Sequence, residues 1–139
     1  MTGMTKTMIM TMMRMIGKMT NFSDFYNRQL DFQKKICSDI GYGDVEISAL
    51  PDDNVEIAKY HLLALTEEVG ELVKSDKRWK NYRNKHYDKD NKLEELSDCF
   101  ITLFNIAIYS NISADELKDA LTNKMNENFA RIANENGGG

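Results

Sequence analysis

The chain is poor in residues that interrupt helices. Its 139 residues include a single proline, Pro51, and eight glycines, three of them at the very end. A proline inside a helix removes a backbone donor and clashes with the preceding turn, so its scarcity favours long uninterrupted helices. Cysteine is equally scarce. Cys37 and Cys99 lie far apart with no CxxC, which excludes a disulfide framework or a zinc ribbon and suits a reducing compartment. Positive charge is not in excess: the formal net charge is −4, so no global basic field calls for nucleic acid. Strand alternation is confined to "VEISAL" (45–50), too short to build a sheet. No apolar run is long enough to span a bilayer. A soluble, cytoplasmic protein is the expectation.

Residues 1–20 stand apart. They hold eight of the nine methionines, with Lys6, Arg14 and Lys18 and no acid. The apolar run is too short for a signal peptide, and no small-residue cleavage site follows. The segment reads as a low-complexity, disordered extension, and residues 137–139 as a glycine tail. Between them, residues 21–136 read as one all-α domain.

Four helical segments emerge there. The first runs from about Ser23 to Ile40, with Phe25, Leu30, Phe32 and Ile36 as its apolar positions. "GYGDVEISALPDD" breaks it. The second starts at Asp53, a suitable N-cap, and continues to about Trp79 with a stripe of Leu62, Leu65, Val69, Leu72 and Val73. The third runs from about Asn91 to Tyr109. Its "CFITLFNIAIY" is apolar almost all round and predicts a helix covered on every side. The fourth opens on "SADE", a capping box of Ser113 and Glu116, and carries Leu117, Leu121, Met125, Phe129 and Ile132. The fold class is an all-α bundle of four or more helices.

Acids concentrate at two places. The second helix holds Glu68-x-x-Glu71 and the third Glu95-x-x-Asp98, with Glu67 and Glu94 beside them. Residues three apart share a helix face, and two antiparallel helices about 8–10 Å apart bring two such faces into one space. Four carboxylates crowded together are unfavourable without a counter-charge. A hard divalent cation relieves them, and the lack of nearby His or Cys points away from zinc. Asp98 immediately precedes the apolar run, where a charge needs a partner. The same acids are also compatible with two solvated faces, since helices are rich in Glu.

"EEVGEL", a spacer of some twenty residues and "LEELSDCF" resemble the MazG-like all-α nucleoside triphosphate pyrophosphohydrolases, a superfamily that includes all-α dUTPases and dCTP pyrophosphatases. The resemblance covers roughly residues 55–132. It implies an all-α NTP pyrophosphatase bundle completed by oligomerisation, and Mg²⁺-dependent cleavage between the α- and β-phosphates to a monophosphate and pyrophosphate, as in nucleotide-pool cleansing. Mn²⁺ is a substitute. Glu68, Glu71, Glu95 and Asp98 would be metal ligands, with Glu67 beside them or orienting the attacking water. Lys124, Asn128 and Arg131, which share a face of the fourth helix, resemble the cationic pattern that closes such domains and would bind phosphate. A solvated face explains them equally well.

Three further residues are candidates for the base: His61, two turns before the acids; Asn105, the one amide in the apolar run; and Trp79, in a connection where eight of the eighteen Lys and Arg fall between Lys74 and Lys92. Each also has a purely structural reading as a packed histidine, a helix–helix contact and a core cap. The connection itself reads best as a solvated segment, or as a basic cover for a triphosphate. The partners expected are a nucleoside triphosphate and a second copy of the chain, in a homodimer or homotetramer, with no nucleic acid and no membrane. The alternative in another functional class is a catalytically silent bundle that binds a cation or a partner protein through its acidic face.

Overall fold

The computed structural model describes residues 5–7, 19, 21–39, 55–80 and 87–137. The proposed start of the second helix at Asp53 and the "VEISAL" stretch fall outside them. Four long helices and one short 3-10 turn make up the described architecture: α1 (Phe22–Asp39), α2 (Val55–Ser75), the 3-10 turn Lys77–Trp79, α3 (Lys89–Tyr109) and α4 (Ala114–Asn136). The all-α bundle is therefore as the periodicity predicts. None of these helices is long and apolar enough to cross a membrane.

Local chemistry sets the helix ends. Asn21 and Asp24 exchange hydrogen bonds, each side chain accepting from the other's backbone N–H, and so cap α1. Asp88 caps α3 by accepting from Asn91 N–H, which starts that helix slightly earlier than its apolar pattern suggests. The second helix stops at Ser75 rather than Trp79, because Asp76 leaves the helical conformation and caps the 3-10 turn. α3 ends in a Schellman turn. Ile112 N–H bonds to Ala107 O and Asn111 N–H to Ile108 O, with Asn111 in the left-handed region at φ 56°. Ser113 and Glu116 form the anticipated capping box of α4.

α2 packs along α3, and α1 lies against both α3 and α4. Among the described residues the buried apolar core is Tyr26, Ala107 and Ile108, with Leu30, Phe104, Tyr109, Ala114 and Leu117 packed around it. Three hydrogen bonds fasten α1 to the end of α3. Tyr26 Oη donates to Ile112 O at 2.7 Å, Gln29 Nε2 to Asn105 Oδ1 at 2.8 Å, and Tyr109 Oη to Gln33 Oε1 at 2.7 Å. This changes the inward face of α1. Phe25, Phe32 and Ile36 are exposed while Tyr26 and Gln33 are buried, because the polar side chains find partners that their apolar neighbours do not need.

The expectation that α3 is covered on all sides is not met within the chain. Leu93, Leu96, Phe100 and Leu103 recur at three- and four-residue spacing and stay exposed, as do Leu62, Val69 and Val73 on α2. On α4, every described side chain after Leu117 is exposed, including Leu121, Met125, Phe129 and Ile132.

His61 is buried, stacked on Tyr109 with ring centroids 4.5 Å apart and 13° between planes. Burial lowers its pKa from the usual 6.5. Below that value the unfolded chain takes up a proton that the folded chain resists, so this group's contribution is present at neutral pH and lost as pH falls through the folded-state pKa. His61→Phe is therefore expected to lose less Tm than the parent between about pH 7.5 and about pH 5. Thermal unfolding followed by circular dichroism measures it; parallel pH profiles would remove the role of burial.

Candidate active site

α2 and α3 run antiparallel, as three cross-helix contacts show in order. His61 meets Tyr109, Glu68 meets Glu95 and Asp98, and Asp76 meets Lys92. The acids thus sit midway along the pair. Glu68, Glu95 and Asp98 each offer one carboxylate oxygen, and these oxygens all lie within 4.8 Å of one another. All three side chains are half-buried. Burial raises the pKa of Glu68, and Asp98, Glu67, Glu95 and Glu71 push it the same way. Such crowding of acids in one space asks for a cation. The donor set is all oxygen, and its spacing fits a hard divalent ion. Cys99 is buried nearby, and burial, followed by the adjacent acids, raises its thiol pKa.

Glu71 stands outside this trio. Its Oε1 accepts from Lys74 Nζ at 2.8 Å. Glu67 is exposed on the neighbouring flank.

From the acids a polar stripe descends along α3. Asp98, Thr102, Asn105 and Tyr109 follow at spacings of four, three and four, so they share one face. Thr102 and Asn105 are buried. Asn105 meets Gln29 from α1, and Tyr109 meets Gln33 from α1 and His61 from α2. Asp98 to Asn105 is seven residues, about 10 Å of helix, comparable to the length of a nucleoside. Beside this stripe, between α1 and α3, a pocket of about 690 Å³ is lined by Phe22, Phe25, Gln29, Phe100, Ile101 and Phe104.

His61 and Asn105 thus lie on the same side of the acids, whereas Trp79 lies beyond their other end. Its ring is exposed, Nε1 donates to Val73 O at 3.0 Å, and Lys80 Nζ sits 5.0 Å from the ring centroid. The base of this turn is clamped. Asp76 accepts from Arg78 at 2.6 Å and from Lys92 at 2.7 Å, which holds its carboxyl far below the usual carboxylate range. Arg78 also lies over the Tyr87 ring at 3.9 Å.

Lys124, Asn128 and Arg131 are exposed on α4, where Lys124 pairs with Glu127 at 3.2 Å. The main packing partner of α4 is α1, and among the described residues none of these three side chains bonds to the acids. Sequence reasoning missed Gln29 and Gln33. The available signal was a pair of amides four apart on α1, mirrored by Asn105 and Tyr109 four apart on α3, but nothing local joins positions 76 residues apart.

A sequence model of the dUTPase family matches residues 21–136, from the cap of α1 to the end of α4. No curated protein and no solved structure matches the chain.

Proposed function

The chain belongs to the dUTPase family, and on that premise we propose that it is a MazG-like pyrophosphohydrolase that cleaves a deoxynucleoside triphosphate between its α- and β-phosphates. The observation that carries this reading is the trio of Glu68, Glu95 and Asp98 oxygens at the head of a polar, nucleoside-length stripe. Mg²⁺, or Mn²⁺ in its place, would be held by these three with Glu71; such an ion neutralises phosphate charge and makes a bound water more acidic. Glu67, adjacent to the ligands, is suited to orient that water and take its proton. Water attacks the α-phosphorus, and pyrophosphate leaves with the electrons of the broken P–O bond.

The base then lies toward Asn105. The Gln29–Asn105 pair uses one donor and one acceptor on each other. Gln29 Oε1 and the Asn105 amide N–H groups remain to meet a pyrimidine edge, which offers both a donor and an acceptor. The aromatic pocket beside them supplies stacking area, and the His61–Tyr109–Gln33 group closes the far end. Asn105→Leu is expected to reduce discrimination between dUTP and dCTP by roughly tenfold to a hundredfold, the effect of one or two hydrogen bonds in a buried site. Competition assays with both nucleotides measure it; unchanged preference would remove Asn105 from base recognition.

A second copy completes the assembly. The exposed apolar stripes of α2 and α3 lie on the flank away from the acids, so pairing there leaves the groove open. Gly70 supports this reading: a Cβ at that position would meet nothing within 4 Å in its own chain. A helical glycine costs up to about 1 kcal/mol relative to alanine, and a close approach by another helix accounts for it. In such a dimer Lys124, Asn128 and Arg131 reach phosphate from the partner's α4. Incubation with Mg²⁺ and each triphosphate, followed by ion-exchange chromatography, tests the function. Equal yields of nucleoside monophosphate and pyrophosphate are expected; diphosphate and inorganic phosphate would contradict it.

A further inference from the structure

Among the described residues, Glu71 is the one acid of the two motifs that a cation already holds. Lys74 Nζ donates to its carboxylate at 2.8 Å, one helical turn on, with the two side chains 71% and 45% exposed. A pair this exposed contributes little to folding. Its position is what matters. Lys74 follows the last acid of the α2 motif by one helical turn, so its ammonium stands beside the acidic cluster. Among the other cations described at this end of the helix pair, Arg78 and Lys92 are both committed to Asp76. Lys74 is thus the counter-ion at the rim of the acidic cluster.

We propose that Lys74 is a displaceable counter-ion that competes with the divalent cation for Glu71. The inference rests on the assignment of Glu68, Glu71, Glu95 and Asp98 as metal ligands. In the cation-free chain, the ammonium keeps Glu71 out of the set and leaves three carboxylates converging. Loading the site breaks the ion pair and frees both partners: Glu71 joins the ligands, and the ammonium becomes available to a polyanion. The displacement opposes loading by metal alone. A triphosphate offers the released ammonium a new partner, so metal and nucleotide assist each other's binding, and the coupling is reciprocal.

Calorimetry on the full chain, with Mn²⁺ alone and with Mn²⁺ plus the non-hydrolysable α,β-imido analogue of dUTP, tests this. Lys74→Gln is expected to bind Mn²⁺ alone roughly two- to fivefold more tightly than the parent, the effect of one exposed ion pair. It should also lose part of the gain in Mn²⁺ affinity that the analogue confers. Lys74→Arg should keep the parental behaviour. Lys77→Gln, which removes a nearby charge that makes no ion pair among the described residues, should shift Mn²⁺ affinity by less than about twofold. Equal or weaker Mn²⁺ binding by Lys74→Gln, with the parent binding normally, overturns the role of Lys74 alone. An equal gain from Lys77→Gln overturns it too, by showing a general effect of charge. A parent that takes up no Mn²⁺ overturns the metal assignment and this inference together.

Discussion

Glu68→Gln and Asp98→Asn are each expected to lower kcat/KM for dUTP by on the order of 10²–10³-fold, with the helical circular dichroism signal retained. Each turns one of three carboxylates whose oxygens converge within 4.8 Å into a neutral amide. The effect on stability should have the opposite sign. Burial and the surrounding acids raise the pKa of Glu68, so its ionised form is the disfavoured one in the folded chain. Stability from this group is fully present below the unfolded-state pKa and is lost as pH rises through the raised folded-state value. At neutral pH, Glu68→Gln should therefore raise Tm in metal-free buffer. In the parent, adding Mg²⁺ or Mn²⁺ should raise Tm as well, by the equivalent of about 2.7 kcal/mol at a hundred times the dissociation constant. The variant should lose most of that increment. Lower activity with higher metal-free stability distinguishes a metal site from a solvated acidic face, where both changes would be small. A variant that keeps parental turnover would exclude Glu68 from the chemistry.

Leu103→Glu should convert the proposed dimer to monomers. Leu103 is 45% exposed in the single chain and lies in line with Leu93, Leu96 and Phe100. Burying such a side chain contributes about 1.5–3 kcal/mol, and a symmetric interface counts the change twice. Placing an unpaired carboxylate there adds a desolvation penalty. A weakening of dimerisation by 10³-fold or more is the expected outcome, read by sedimentation velocity across a concentration series. Activity should fall with the dimer fraction, because on the proposed reading Lys124 and Arg131 meet phosphate only across the dimer. A parent that sediments as a monomer at all concentrations would refute the pairing, and the exposed stripes would need another cover.

Local signals were legible and non-local ones were not. The ExxE and ExxD pairs are each contained in one turn, so helical spacing alone places Glu68 with Glu71 and Glu95 with Asp98. The capping box at Ser113 is equally local, and it appears as read. α1 shows where periodicity misleads. Phe25 and Phe32 are among its apolar positions, yet both are exposed. The rule assumes that apolar residues are buried within their own chain, whereas Phe25 lines the pocket beside the polar stripe. The buried face belongs to Tyr26 and Gln33, whose partners lie on the far side of the sequence. α3 misleads in the same way: a helix apolar all round was read as covered, but nothing in one sequence says whether the cover comes from the same chain. The absence of Glu71 from the converging acids was likewise invisible, since it depends on which of several nearby groups Lys74 chooses.

The central claim is that the converging acids direct water to the α-phosphorus. Turnover of dUTP with Mg²⁺ in ¹⁸O-labelled water, followed by mass spectrometry of both products, tests it most directly. The label is expected in the dUMP phosphate, with unlabelled pyrophosphate. Label in pyrophosphate, or dUDP and labelled inorganic phosphate as products, would contradict the account.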